Sequence, residues 1–134
     1  MAEDCIFCKI VAGEIPAQIV DEDEHTLAFM DIAPATRGHA LVIPKRHAAD
    51  LWEIGEEEFA GVARSAHRLA QKVRDRLEPD GVNLINSCRP AAWQTVFHLH
   101  VHVIPRYSGD PLTLPWVPAA GNFTEIAAVA DQLR

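Results

Sequence analysis

Three histidines alternate with apolar residues in the last third of the chain, and they are the side chains best suited to chemistry. The sequence FHLHVHVI occupies residues 97–104. Because successive side chains of a strand point to opposite faces, His98, His100 and His102 are predicted to share one face, spaced about 6.6–7 Å apart. Such a row of imidazoles has three interpretations: a solvated sheet face, the ligands of a zinc ion, or a catalytic set in which one imidazole is a nucleophile or general acid–base.

A second candidate is the pair Cys5 and Cys8, a C-x-x-C near the start of the chain. Its spacing is that of zinc ligands, although two cysteines supply only half of a four-coordinate site. A redox pair is another interpretation, but thioredoxin-like motifs belong to a βαβ unit, which the pattern here lacks. The third interpretation is that Cys5 and Cys8 are two buried free thiols without a metal or redox role. An odd total of three cysteines disfavours a disulfide framework and indicates a reducing compartment.

These side chains must be positioned by a few elements, of which the clearest is a helix over Glu56–Leu77. Its apolar residues recur at steps of three and four, which is typical of one buried face. Glutamates at 56–58 and the arginines Arg74 and Arg76 complement the helix dipole, and the sequence PDG at 79–81 ends the helix. The predicted buried face consists of Phe59, Val62, Ala63, Ala66, Leu69, Ala70, Val73 and Leu77.

The rest of the chain consists mainly of short extended segments bounded by Gly, Pro and Asp. Crowded acidic residues at 21–25 predict a hairpin turn, and short helices are predicted at Asp4–Ala12 and Thr124–Leu133. One long helix against hairpin-connected strands predicts an α+β fold with an antiparallel sheet. The predicted strands are Gln18–Glu22, Thr26–Asp31, Ala40–Pro44, Val82–Asn86 and Val96–Ile104.

Length and charge limit the functions open to the chain. Its 134 residues, without a repeat or linker, suit one domain over residues 1–134. The net charge of −7 argues against general affinity for nucleic acid, but not against a small phosphorylated ligand. No apolar run approaches the roughly 18 residues that cross a bilayer, and the acidic start MAED lacks the basic region of a signal peptide. We therefore expect a cytoplasmic protein that acts neither in membranes nor on nucleic acid.

Taken together, these segments resemble the histidine triad (HIT) family of nucleotide hydrolases and transferases. The run at 98–104 matches the family signature HφHφHφφ, where φ is apolar, and other matching segments follow the family's order. They are CIFCKI at 5–10, AFMDI at 28–32, GHALVIP at 38–44 and QTV at 94–96. The resemblance covers almost the whole chain. It implies a single HIT-like domain in which an antiparallel sheet of about five strands packs with one long helix and short terminal helices.

The resemblance implies a nucleotide phosphohydrolase or phosphoramidase that cleaves at the α-phosphorus of a purine nucleotide through a covalent nucleotidyl-histidine. His100 matches the family nucleophile, His102 the donor to the phosphate or its bridging atom, and His39 a further histidine of the site. A neutral imidazole is a competent nucleophile near pH 7. Two alternatives stay open: a nucleotide-binding scaffold with little turnover, and a metal-dependent hydrolase in which His98, His100 and His102 hold a catalytic zinc.

The same resemblance assigns the residues of a nucleotide site. Asp31 matches the residue that holds the ribose hydroxyls. A carboxylate suits this role, because it can accept hydrogen bonds from two hydroxyl groups. Gln94 and Thr95 match the donors to the α-phosphate, and Asn86 and Ser87 are expected polar contacts beside the leaving group. The apolar slot for the base corresponds to Ile6, Phe7, Ile10, Phe29, Met30 and Ile32.

Zinc-bearing bacterial-type members of the family supply the ligands that the cysteine pair lacks. In those members a histidine after the Pro-[KR]-[KR] segment and the first triad histidine complete the site, and here they are His47 and His98. A site made by Cys5, Cys8, His47 and His98 has no open position, so the resemblance implies structural Zn²⁺. Family members are generally homodimers joined through the long helix and an edge strand, so a homodimer is expected.

The chain departs from the family beside the leaving group. Trp93 replaces the glycine that is common before Gln94, and the sequence SCRP at 87–90 replaces a loop rich in Asn and Gly. Arg89 has two interpretations: contact with a distal phosphate, or a solvated loop charge. These differences bear on the choice of substrate more than on the type of reaction.

Overall fold

The computed structural model describes residues 4–134, which form five strands, three helices and one 3₁₀ turn. The strands make one antiparallel sheet in the order β1-β2-β3-β5-β4, which confirms the predicted α+β fold. In chain order the elements are α1 (Ile6–Val11), β1 (Ile19–Glu22), β2 (Thr26–Met30), β3 (Ala40–Pro44), α2 (Glu56–Leu77), β4 (Gly81–Asn86), the 3₁₀ turn (Pro90–Ala92), β5 (Val101–Arg106) and α3 (Phe123–Leu133).

The two faces of the sheet are covered by different helices. α2 packs across one face, where its apolar residues meet Leu99, Val101 and Val103. Phe7 and Ile10 of α1 pack against apolar residues of the opposite face. Because side chains alternate along an extended chain, the histidines between these core residues emerge on the α1 side.

α2 has the predicted bounds, and its pattern of burial explains why the prediction succeeds. Four of its residues at steps of three and four are buried in the core: Val62, Ala66, Leu69 and Val73. Ala63, which the periodicity assigned to the buried face, is exposed instead. The helix ends at Glu78, which adopts a left-handed conformation with φ of 51° immediately before Pro79.

The predicted strand Val96–Ile104 is wrong at its start, since β5 begins only at Val101. Residues 96–98 bend, and the N–H of Leu99 donates to the carbonyl oxygen of Ala48 at 2.7 Å. His98 lies within this bend, and its ring is completely buried. The alternation of side chains continues through the bend, so the three histidines still share one side.

α3 lies outside the core, because none of its residues is buried. Its apolar side chains are exposed, and Phe123 and Leu133 keep 87% and 83% of their accessible surface. Within residues 4–134, no helix has both the length and the apolar character needed to cross a membrane.

Candidate active site and metal centre

His100 is held just before β5, with its two ring nitrogens in different environments. Nδ1 lies 2.8 Å from the backbone carbonyl oxygen of His98. Because a carbonyl only accepts, Nδ1 carries the proton and Nε2 keeps its lone pair. Burial lowers the pKa of His100, while this hydrogen bond and the charge of Asp31 oppose the change. His100 therefore presents a neutral imidazole whose Nε2 can act as a nucleophile.

A chain of hydrogen bonds sets the tautomer of His102. The backbone N–H of Ala35 donates to Nδ1 of His39 at 2.9 Å, so a neutral His39 carries its proton on Nε2. That Nε2 lies 2.9 Å from Nδ1 of His102 and 3.5 Å from a carboxylate oxygen of Asp31. With His39 donating, Nδ1 of His102 accepts, and the proton of His102 is on Nε2. His102 is thus a hydrogen-bond donor on its remaining side.

The proton positions assigned to His39 and His102 require both rings to be neutral, and their pKa values favour this state. The pKa of His102 is lowered to about 4, chiefly by burial and then by the charges of His100 and His39. Burial also lowers the pKa of His39, although the carboxylate of Asp31 opposes the change. At neutral pH the two rings therefore act as one donor and one acceptor, without the repulsion between two imidazolium ions.

These side chains open onto a cavity of about 380 Å³ between α1 and the sheet. Asp31, Thr95, His100 and His102 supply its polar and titratable groups. All the residues predicted for the base slot lie on its wall: Ile6, Phe7, Ile10, Phe29, Met30 and Ile32. The sequence analysis missed other wall residues, namely Ile15, Pro16, Ala17, Ala33, Leu41 and Val96. Ile15, Pro16 and Ala17 form an apolar segment shortly after α1, and this pattern could have predicted them.

Gln94 does not line this cavity, because its side chain is buried against the backbone. Its Nε2 donates to the carbonyl oxygens of Ala49 at 2.7 Å and Val96 at 3.1 Å, and its Oε1 accepts from the N–H of Arg89 at 2.7 Å. The N–H of Gln94 also donates to the carbonyl oxygen of Arg89. With these groups occupied, Gln94 positions Thr95 in this conformation rather than offering donors of its own.

Asn86, at the end of β4, was expected with Ser87 to contact the leaving group, and the structure places its side chain against the backbone of His100. Its Nδ2 donates to the carbonyl oxygen of His100 at 3.0 Å, so it braces the backbone of the candidate nucleophile. Its Oδ1 is buried without a hydrogen-bond partner among residues 4–134, which is uncommon for a native side chain. Ser87, the next residue, was predicted to contact the ligand but does not line the cavity.

The second cluster lies at the N-terminus of α1, against the ring of His98. Sγ of Cys5 is 3.3 Å from Nδ1 of His98, and Sγ of Cys8 is 3.4 Å from Nδ1 of His47 and 3.5 Å from Nδ1 of His98. Zinc bonds of about 2.3 Å to sulfur and about 2.1 Å to nitrogen put such atoms roughly 3.6 Å apart in a tetrahedral site. The predicted ligand set therefore has the spacing that a zinc ion requires.

The other nitrogen of His98 orients the ring for this role. Nε2 lies 2.8 Å from the carbonyl oxygen of Pro44, so it carries the proton and leaves Nδ1 unprotonated toward the sulfurs. Burial lowers the pKa of His98 to about 4, although the bond to Pro44 opposes the change. The ring is therefore neutral at pH 7, as a metal ligand must be.

Known proteins share both this fold and much of this sequence. Residues 12–109 match the model of the HIT domain family. The chain is 46% identical to "Protein hit" of Bacillus subtilis over 123 residues, which cover 91% of this chain and 85% of that protein. It is 38% identical over 130 residues to an adenosine 5'-monophosphoramidase of Schizosaccharomyces pombe, covering 96% of this chain and 95% of the relative.

Solved structures agree with these relatives. A HIT family protein of Bacillus subtilis superposes with a TM-score of 0.92 at 40% identity, covering 98% of this chain and 95% of that chain. A zinc-bound histidine triad family protein of Mycobacterium smegmatis superposes with a TM-score of 0.79 at 46% identity, covering 87% of this chain and 84% of that chain. The resemblance drawn from the motifs is confirmed, and the chain belongs to the HIT domain family.

Proposed function

We propose that this protein hydrolyses purine nucleotides at the α-phosphorus, with Nε2 of His100 as the nucleophile. The observation that carries the proposal is the 2.8 Å hydrogen bond from Nδ1 of His100 to the carbonyl of His98. This bond holds the proton on Nδ1, so the lone pair of Nε2 is available without a separate base. It also fixes the orientation of the ring before any substrate binds.

The reaction has two steps. In the first, the lone pair of His100 Nε2 forms a bond to phosphorus, and the leaving group departs with the bonding electrons and takes a proton from solvent. In the second, a water oxygen attacks phosphorus, the bond to Nε2 breaks with its electrons returning to the ring, and the proton of water passes to solvent. Splitting one displacement into two lowers the barrier of each. The products are a nucleoside monophosphate and the free leaving group.

Charge on the phosphoryl oxygens needs donors, because phosphoryl-type transfer depends mainly on positioning and electrostatics. We assign this role to Nε2–H of His102, which the chain from Ala35 through His39 makes a donor. Thr95 lies on the same cavity wall and offers a hydroxyl. Asp31, on that wall too, is assigned to the ribose hydroxyls. The phosphoramidase activity in the name of the fission yeast relative supports a leaving group joined through nitrogen.

We further propose that Cys5, Cys8, His47 and His98 hold a structural zinc ion. Such an ion would stabilise the fold by joining α1 to the segment that carries His100, and it takes no part in the steps above. A catalytic zinc shared by His98, His100 and His102 is less well supported. Nε2 of His98 is bonded to Pro44 and its Nδ1 faces the cysteines, so no nitrogen of His98 is left to share with the other two.

The proposed chemistry is tested by trapping the intermediate. The protein is mixed with adenosine 5'-phosphoramidate, quenched in base to preserve the phosphorus–nitrogen bond, and its peptides are examined by mass spectrometry. We expect an adenylyl group on the peptide containing His100 and none in His100→Asn, with loss of turnover in the variant. His25→Asn, at an exposed turn, is the matched control.

Two results would contradict the proposal. Undiminished turnover by His100→Asn would exclude the covalent route through His100. Tight binding of nucleotide, with neither an adduct nor turnover of several adenylates, would favour the scaffold alternative.

We also propose that the protein is a homodimer. The family expectation places the contact at the long helix, α2, and an edge strand, and β4 is an edge strand whose Leu84 is half exposed. α3 presents further apolar side chains that nothing in residues 4–134 covers. Unpaired strand edges and contiguous exposed apolar surface are typical of association sites. A second copy of the chain is the occupant that the family expectation favours.

A further inference from the structure

The loop between β4 and Thr95 contains two residues in conformations that side chains normally avoid. Arg89 has φ of 76° and ψ of 160°, a region almost confined to glycine, and Trp93 has φ of 77°. The 3₁₀ turn Pro90–Ala92 separates them. Both side chains are largely exposed, at 55% for Arg89 and 66% for Trp93. Burial of these side chains therefore does not account for the strain, and strain of this kind is frequent at ligand sites.

The guanidinium of Arg89 is held in place on two sides. Its Nε lies 2.7 Å from a carboxylate oxygen of Asp50, whose side chain is only 4% exposed. Asp50 is fixed in turn, because its Oδ1 accepts from the backbone N–H groups of Trp52 and Glu53. The guanidinium also stacks over the ring of Trp52, with Cζ 4.9 Å from the centroid. Neither Nη of Arg89 makes a hydrogen bond within residues 4–134, so both are available to a ligand.

The loop that carries Arg89 ends at the wall of the cavity of His100, because Thr95 lines that cavity. The Gln94 side chain bonds both to the N–H of Arg89 and to the carbonyl oxygen of Ala49. Ala49 lines a second cavity, which shares Ile6, Thr95 and Val96 with the cavity of His100 and so continues it. Asp50, which holds Nε of Arg89, directly follows Ala49 in the chain. If the base occupies the apolar slot and phosphorus lies at His100, the second cavity, which Cys5 and His47 also line, is open to the leaving group.

We propose that Arg89 determines specificity by binding an anionic group, a phosphate or carboxylate, on the leaving group of the substrate. This inference rests on the proposed function. A guanidinium offers two parallel N–H donors that match the two oxygens of such a group. Asp50 and Trp52 hold it in one orientation, so less side-chain entropy is lost on binding.

Binding of ADP and AMP tests the proposal, because the β-phosphate occupies the leaving-group position and AMP lacks it. Dissociation constants are measured by calorimetry in the His100→Asn background, to prevent turnover. We expect Arg89→Gln to weaken ADP binding by about tenfold or more and AMP binding by less than about twofold. Arg89→Lys should fall between, since it keeps the charge but loses the paired donors. Arg74→Gln, which removes an exposed charge on α2, should change neither constant.

A merely structural role for Arg89 predicts a different result. Arg89→Gln leaves Asp50 without its partner, and a disturbed loop would weaken ADP and AMP equally, which would overturn the inference. The double variant Asp50→Asn/Arg89→Gln removes the buried charge as well, so it preserves folding and should reproduce the selective loss of ADP binding. Unchanged ADP affinity in that double variant would also overturn it. Failure of either nucleotide to bind the parent would instead refute the proposed function on which the inference rests.

The source of the anion is distinguished by matched substrates. Two adenosine phosphoramidates are compared, one whose amine ends in a carboxylate and one whose amine ends in the corresponding carboxamide. If Arg89 binds carboxylates, Arg89→Gln should lower kcat/KM by about tenfold for the first substrate only. If Arg89→Gln affects the carboxylate and carboxamide substrates equally but weakens the binding of ADP more than that of AMP, the subsite binds phosphate and not carboxylate.

Discussion

The carbonyl oxygen of His98 lies 2.8 Å from Nδ1 of His100, and the ring of the same His98 turns its own Nδ1 toward the sulfurs of Cys5 and Cys8. One residue thus joins the candidate metal centre to the candidate nucleophile. The geometry of the cluster fixes His98, and the backbone of His98 fixes the tautomer of His100. Loss of a metal ion bound at this cluster is therefore expected to affect the ring of His100 through a single residue.

Replacing Cys8 should lower zinc content, stability and turnover together. Cys8→Ser removes one thiolate from a closed site, and we expect zinc to fall well below one ion per chain. Without the metal, His98 is held less firmly, and its carbonyl oxygen no longer orients the ring of His100 as well. We therefore expect turnover to fall by about tenfold, a loss typical of changes to the residues that orient a metal site. Metal analysis, thermal unfolding and kcat/KM measure the three effects. Cys88→Ser is the control, since Cys88 lies outside the cluster. Full zinc occupancy in Cys8→Ser would refute the ligand assignment.

Acid should destabilise the protein through the His39–His102 pair. The pKa of His102 is lowered from 6.5 to about 4 by burial, next to the charges of His100 and His39. Below pH 6.5 His102 is protonated in the unfolded chain but stays neutral in the folded chain. Its contribution to the free energy of unfolding is therefore fully present above pH 6.5 and is lost progressively as the pH falls to about 4. At about 1.4 kcal/mol per pKa unit, reduced by solvent screening at this partly buried ring, the loss from His102 is on the order of 1–2 kcal/mol.

Urea unfolding at several pH values between 7 and 4.5 measures this loss. His102→Gln should flatten the dependence of the free energy of unfolding on pH, whatever its effect at pH 7. His67→Gln, at an exposed position of α2, is the control. A slope in His102→Gln as steep as that of the parent would show that His102 is not the group responsible.

Local patterns were sufficient to predict α2 and the common side of the triad histidines, because these segments bury one face. The three- and four-residue steps of α2 and the alternation around His100 both follow from packing against one core. The bend at residues 96–98 could not be predicted, since the hydrogen bonds around it, from Leu99 to Ala48 and from His98 to Pro44, join residues distant in the sequence. The inward orientation of Gln94 likewise depends on Ala49, which is distant in the sequence. The ligands His47 and His98 came only from the family resemblance, because nothing local links them to the cysteines.

Asp31 should determine the preference for ribose. Its Oδ1 accepts from the N–H of Ala33 at 2.8 Å, and its other oxygen lies 3.5 Å from Nε2 of His39, so the carboxylate is fixed at the cavity wall. We expect Asp31→Asn to lower kcat/KM for an adenosine phosphoramidate by about tenfold or more, because the bonds to the hydroxyls lose their charge assistance. The 2',3'-dideoxy substrate has no hydroxyls to bind and should be affected much less. An equal loss on both substrates would mean that Asp31 acts through His39 rather than on the ribose.

The apolar stripe of α3 should be required for association. Ile126, Val129 and Leu133 recur at steps of three and four and are exposed at 57%, 41% and 83% of their surface. If a second copy covers them, a charge within the stripe must be desolvated at the interface, which is costly. Ile126→Lys should therefore convert a dimer into a monomer, as measured by light scattering after size-exclusion chromatography. Gln132→Lys adds the same charge to the polar side of the same helix and should leave the dimer intact. The prediction would be wrong if the parent protein is already a monomer, or if the Ile126→Lys variant forms a dimer as stable as that of the parent.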